Sequence, residues 1–159
     1  MKKVSCNDIL SICKYNQEGI IDQIQLLMQQ NYPNFVDWFN NKLIPGINNG
    51  ERNIVYITKG DKIIGFANLT KKQKEKKISN IYINSLFKYK SFFNVLIDKS
   101  LDWLETDKPV VIMSEHELSK CFYLLLERNW TFTGKTKNND YILNRKEFFE
   151  DIVKKKIHK

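Results

Sequence analysis

Apolar residues at Ile20, Ile21, Ile24, Leu27 and Met28 recur at i, i+1, i+4, i+7 and i+8, which lays them along one stripe of a helix. The spacing predicts a helix that starts after the polar residues Asn16-Gln17-Glu18. It ends at Asn31-Tyr32-Pro33, because proline keeps the residue before it out of α geometry. A second helix is expected from Asn34, with Phe35, Trp38, Phe39 and Leu43 on one side, stopping at Pro45-Gly46. Ahead of both, residues 9–15 read as a short strand.

The pattern then changes. Residues 53–58 are a β-branched run, Lys59-Gly60-Asp61-Lys62 is a turn, and residues 63–69 form the returning arm, so an antiparallel hairpin is expected. Residues 71–77 are too charged to bury and read as a solvated connection to a third strand of the meander at 78–83. Helical spacing returns at 91–104 through Phe93, Leu96, Ile97, Leu101 and Leu104, and Thr106-Asp107-Lys108-Pro109 closes that segment. A short buried strand at 110–113 follows, then a helix at 117–128 carrying Leu118, Cys121, Phe122 and Leu125. Two strands at 130–136 and 140–144 flank the turn Lys137-Asn138-Asn139, and an amphipathic helix at 145–157 presents Phe148, Phe149, Ile152 and Val153.

The 159 residues, 42% of them apolar, suffice for one domain with its own core. Residues 1–144 are expected to form that domain and 145–159 a helical tail. Cys6, Cys13 and Cys121 are odd in number and lack metal-ligand spacing, which points to reduced thiols. His116 is the only histidine before the tail, with no Ser, Cys or Asp partner at a diagnostic spacing, so neither a metal site nor a hydrolase triad is expected. No apolar run approaches bilayer length and Met1-Lys2-Lys3 opens no secretory signal; a cytoplasmic protein without a membrane partner is the expectation.

The net charge of +8 raises the question of nucleic acid. Against it stand 23 lysines and only 3 arginines, since base and phosphate recognition favours the planar arginine fork. Part of the excess lies in the tail, which leaves +5 on residues 1–144.

The order β α α β β β α β α β β resembles the GNAT N-acetyltransferase fold over roughly residues 9–144. That likeness implies an α+β domain with a mixed, mostly antiparallel sheet of about seven strands and about four helices, opening between its fourth and fifth strands to admit acetyl-CoA. Glu105-Thr106-Asp107-Lys108-Pro109 before the fifth strand is similar to a segment of bacterial members, and Glu127-Arg128-Asn129-Trp130 closes the next helix in the family's manner. In such proteins a loop of pattern Arg/Gln-x-x-Gly-x-Gly/Ala at a helix N-terminus holds the cofactor pyrophosphate. Backbone N–H groups and the helix dipole face the phosphates there, and glycines keep the path clear.

Here the loop reads Lys88-Tyr89-Lys90-Ser91-Phe92-Phe93, with Ser91 at the first glycine and Phe93 at the final small residue. Lys88 and Lys90 supply charge, and Ser91 can cap the helix or donate to phosphate. Phe93 fits only if its ring turns into the core. With Ile81 and Ile83 at the end of the fourth strand, these are the positions that the resemblance assigns to acetyl-CoA, used as cosubstrate. Two readings stay open, a weakened site and a lost one.

Acetyl transfer needs a route to deprotonate an amine and a group to protonate the leaving thiolate. The resemblance gives the second role to a tyrosine whose position here is Leu125; Tyr123 lies two residues away, about 200° around a helix. Tyr123 is the candidate acid and Glu115, just after the fifth strand, the candidate base. Their bland alternatives are a packing tyrosine and a helix N-terminal carboxylate. Two functions follow: an N-acetyltransferase acting on a small-molecule or peptide amine, and an inactive GNAT-like binding or regulatory module that uses the Phe148 stripe to pair with a second copy.

Overall fold

A computed structural model describes residues 4–8, 19–29, 34–60, 62–84 and 89–146. The strands are β1 (Val4–Asp8), β2 (Arg52–Lys59), β3 (Lys62–Lys71), β4 (Lys76–Ile83), β5 (Val110–Met113), β6 (Trp130–Lys135) and β7 (Tyr141–Arg145). They form one sheet in the order β1-β2-β3-β4-β5-β7-β6, parallel only between β4 and β5. Among the described residues four helical segments accompany it: α1 (Ile20–Gln29), α2, α3 (Tyr89–Leu104) and α4 (Glu115–Glu127). Helix α2 runs without a break through Phe35–Trp38, a π-helical Phe39–Leu43 and Ile44–Asn48.

The sheet is covered on both faces, which is why β2 and β3 are buried along nearly their whole length. Val55 and Ile57 of β2 pack with Ile64, Ile78, Ile81, Phe93, Leu96 and Leu124 on the α3/α4 face. Their neighbours Ile54 and Tyr56 pack with Ile24, Phe35, Phe39, Leu43 and Phe66 on the α1/α2 face. Each such side chain contributes roughly 1.5–3 kcal/mol by leaving water. No described helix is long and apolar enough to cross a membrane.

Several boundaries differ from the sequence expectation. The first described strand is Val4–Asp8, and the run at 9–15 lies outside the described residues. Helix α2 does not stop at Pro45 but continues to Asn48. The reason is the π turn: Ile44 N–H reaches back to Phe39 O, and the wider turn accepts a residue that lacks an N–H and crowds the preceding carbonyl. The charged stretch 71–77 is mostly strand, with only a tight turn at 72–75 closed by Lys72 N–H to Glu75 O at 2.8 Å. Lys71 and Lys77 are accommodated because their ammoniums find acceptors, Lys71 Nζ on Trp103 O at 2.8 Å and Lys77 Nζ on Glu75 at 3.0 Å, while Lys72 and Lys74 are exposed. Helix α4 starts at Glu115, two residues early, because the Ser114 side chain caps it by accepting from Glu117 N. Arg145 closes β7 rather than opening a helix; residues 147–157 of the expected terminal helix lie outside the described residues.

Candidate functional site

The parallel pairing of β4 with β5 runs only from Lys77–Val110 to Ser79–Ile112. Beyond it β4 continues to Ile83 against β3 alone, while β5 ends at Met113 and the chain turns through Ser114 into α4. One residue of β4 is extra at that point. Asn68 faces Ser79 and Ala67 faces Ile81, so Asn80, at φ 59°, has no counterpart on β3. Such a bulge bends and twists its strand, and it coincides with the place where β4 and β5 part.

The N-termini of α3 and α4 stand on one side of this opening. In α3, Phe93 is fully buried in the core, so its ring lies off the helix mouth. Tyr89 stacks on it at 6.2 Å between centroids, and Phe92 also packs against the core. Ser91 and Lys90 are exposed, and Lys90 meets Glu127 at 3.5 Å. Lys88 lies outside the described residues. Ile81 and Ile83 point their side chains into the core, which leaves only their backbone to a ligand.

Between the two helix mouths three ionisable side chains converge. The Tyr89 hydroxyl lies beside Cys121, and burial raises its pKa, so it stays a neutral hydroxyl. Burial likewise pushes the Cys121 thiol up to about 12, with Tyr89 opposing and Glu117 adding to the rise. Glu117 is pushed up to about 7 by burial, with Lys120 opposing and Asp140 adding, and its Oε2 has no hydrogen-bond partner among the described residues. At neutral pH this carboxyl is poised between its two forms. The sequence candidates sit elsewhere: Tyr123 is 54% exposed on the outer face of α4, and Glu115 is exposed in its first turn beside Phe122 and Phe132. Leu125 is fully buried. Glu117 escaped notice although it lies four residues before Cys121, on the apolar stripe of the helix. A carboxylate on such a stripe was the readable signal.

On the α1/α2 face a cavity of about 650 Å³ reaches the same bulge at Ser79 and Asn80. Met28, Phe35 and Trp38 form its apolar wall, Lys42, Arg52 and Lys77 bring positive charge, and Asn138 of the β6–β7 turn also lines it. Two ladders underlie it: Arg52, Thr70 and Lys77 stand side by side across β2, β3 and β4, as do Ile54, Asn68 and Ser79.

No protein-family profile and no curated protein matches the sequence. Solved structures do match. A GNAT-family acetyltransferase from Desulfovibrio desulfuricans aligns with TM-score 0.65 at 11% identity, over 91% of this chain and 99% of that one. The PaiA N-acetyltransferase of Thermoplasma acidophilum, in complex with coenzyme A, aligns at 0.60 and 11% over 91% and 99%. A spermidine N-acetyltransferase variant from Vibrio cholerae aligns at 0.60 and 13% over 89% and 91%. At such identities the likeness is one of fold: the chain has the α+β fold of the GNAT N-acetyltransferases.

Proposed function

We propose that this chain is an acetyl-CoA-dependent N-acetyltransferase acting on an amine. The observation that carries the reading is the parallel β4–β5 pair that stops at Ser79–Ile112, between two helix mouths on one face and a cavity on the other. A thioester entering from the α3/α4 face and an amine from the α1/α2 face would meet at the Asn80 bulge. Coenzyme A fits the residues present in one testable respect. The inward turn of Phe93 clears the α3 N-terminus, where a substituted loop had put the site in doubt. Backbone N–H groups around Lys90 and Ser91 would face the pyrophosphate, with the helix dipole favouring its charge.

When bound, acetyl-CoA supplies an activated acyl group to the amine. The chain's part is to hold the two reactants together and to manage protons. Glu117, titrating near neutrality, is the group we assign to take up the proton released by the amine, directly or through water. Tyr89, held as a neutral hydroxyl, is assigned to donate a hydrogen bond to the departing sulfur, whose proton would be returned by the protonated Glu117 carboxyl or by solvent. Both are preferred to Glu115 and Tyr123 because those side chains face solvent.

The test is calorimetric titration of acetyl-CoA into the wild-type chain and into Ser91→Glu. Ser91 is exposed and an acidic residue suits a helix N-terminus, so the variant keeps its fold while repelling a pyrophosphate. Binding lost in the variant supports the reading; no binding at millimolar cofactor removes it. The second reading, a module that holds cofactor without turnover, is favoured by Leu125, buried where the resemblance expects a tyrosine. Binding without thiol release for any amine would select it.

A further inference from the structure

We infer that the cavity on the α1/α2 face is built for an amine that also carries a carboxylate or phosphate. This rests on the transferase reading for the amine, and on the cavity's own residues for the anion. Lysine is abundant in this chain, so nearby ammoniums alone would mean little. The cations here are held in place. Arg52 lies across β2 with its guanidinium 5.8 Å from the Trp38 ring centroid and its Nη1 3.3 Å from Thr70 Oγ1. Lys77 is the neighbouring member of the same ladder, three-quarters buried and tethered to Glu75 at 3.0 Å. Lys42 approaches from α2 and has no ion-pair partner among the described residues.

Among the described residues no aspartate or glutamate lines the cavity. Glu75, beside the cavity's Lys77, is already engaged by it: the Lys77 hydrogen bond holds the carboxyl below the usual carboxylate range, with Lys72 and Arg52 adding to the effect. A polycationic amine would therefore meet an excess of positive charge and no free acid among the described lining residues, whereas an anion would be drawn in. An arginine fixed against an aromatic wall offers its fork to a carboxylate or phosphate at little entropic cost.

At the inner end the lining passes to Ser79 and Asn80, and Asn68 lies buried behind Ser79. Asn68 is 3% exposed, donates Nδ2 to Met28 Sδ at 3.6 Å, and leaves Oδ1 without a partner among the described residues. It stands beside Ser79 at the bulge, one ladder from Arg52 and Lys77, which is two residues or about 6.6 Å along a strand. Polar Ser79 and Asn80 at the bulge and cations one ladder away orient a ligand with its amine toward the β4–β5 opening and its anionic group outward. A few bonds between the two groups would span that distance.

The experiment titrates aminobutyrate, aminoethyl phosphate, butylamine and spermidine into the full chain and follows the indole N–H resonance of Trp38. Lys42→Glu and Lys42→Arg serve as variants, since Lys42 is exposed and neither change disturbs the core. The expected result is saturable shifts with one or both anionic amines, weakened about tenfold or more by Lys42→Glu and by added salt, and retained in Lys42→Arg. Which probe binds separates carboxylate from phosphate recognition. Equal binding of butylamine or spermidine, unchanged binding in Lys42→Glu, or no shift with either anionic amine would overturn the inference. Thiol release from acetyl-CoA is measured on the same samples: binding of an anionic amine without release would remove the transferase reading and leave the anion-selective cavity standing.

Discussion

Gly46 of α2 and Arg52 of β2 fit together only because the glycine has no side chain: a Cβ built on Gly46 would lie 2.5 Å from Arg52 Cδ and 2.6 Å from Cγ. The arginine stem passes over this gap and delivers its guanidinium to the Trp38 ring and the cavity. Gly46→Ala forces the stem aside. The expected cost is about 1–3 kcal/mol of stability, read as a lower midpoint in urea. Anion selectivity in the cavity should fall as well. A variant that melts like wild type and keeps its ligand preference would show that the arginine has another route.

Glu117 is expected to lower stability, and to raise any transfer rate, as pH increases. Its folded-state pKa of about 7 lies above the ordinary 4.5. The folded chain therefore holds a proton between these values that the unfolded chain has released. Stability from this group is full below about pH 4.5 and is lost as pH rises through 7. Glu117→Gln should raise the melting temperature at pH 8 relative to wild type, by an amount of the order of 2 kcal/mol in stability, and flatten the slope between pH 5 and 8. If the deprotonated carboxylate accepts the amine's proton, transfer rate climbs across the same window in wild type and loses that limb in the variant. Parallel melting curves for the two proteins at pH 5 and 8 would contradict the burial of the carboxyl.

Asn80 is the residue whose backbone sets the β4 bulge, at φ 59°. Asparagine tolerates the left-handed region, glycine occupies it freely, and a β-branched residue resists it. Asn80→Gly should keep its melting temperature to within a few degrees, while Asn80→Val should lose about 1–2 kcal/mol and most of any transfer activity. Equal stability of the two would mean that the bulge relaxes without cost.

Trp130 ties the late strands to the loop before β5. Its Nε1 donates to Pro109 O at 3.0 Å, and the Arg145 guanidinium lies 4.4 Å from its ring centroid while donating from Nε to Arg128 O at 2.8 Å. Trp130→Phe strands the buried Pro109 carbonyl and leaves a void. A loss of about 2 kcal/mol or more is expected, measured by chemical denaturation, with β5–β7 amides exchanging faster than those of the β2–β3 hairpin. A loss under half that size would mean that Arg145 alone holds the loop.

Local periodicity in the sequence determined the β2–β3 hairpin, helices α3 and α4 and the order of elements. An apolar stripe or a β-branched run must find a core whatever its distant neighbours are. The same pattern marked Phe93 as apolar but not its direction; packing against Val55, Leu96 and Ile97 turned it inward and cleared the helix mouth. Pro45 looked like a helix end because a proline's local effect is legible, whereas the π turn that absorbs it depends on α2 lying against the sheet. Lys42, Arg52 and Lys77 carry no common motif, since strand register and helix packing alone bring them to one cavity. The altered protonation of Glu117 was likewise decided by tertiary structure. A carboxyl's pKa depends on how much water its neighbours exclude, and those neighbours come from α3 and the β6–β7 turn, far away in the chain.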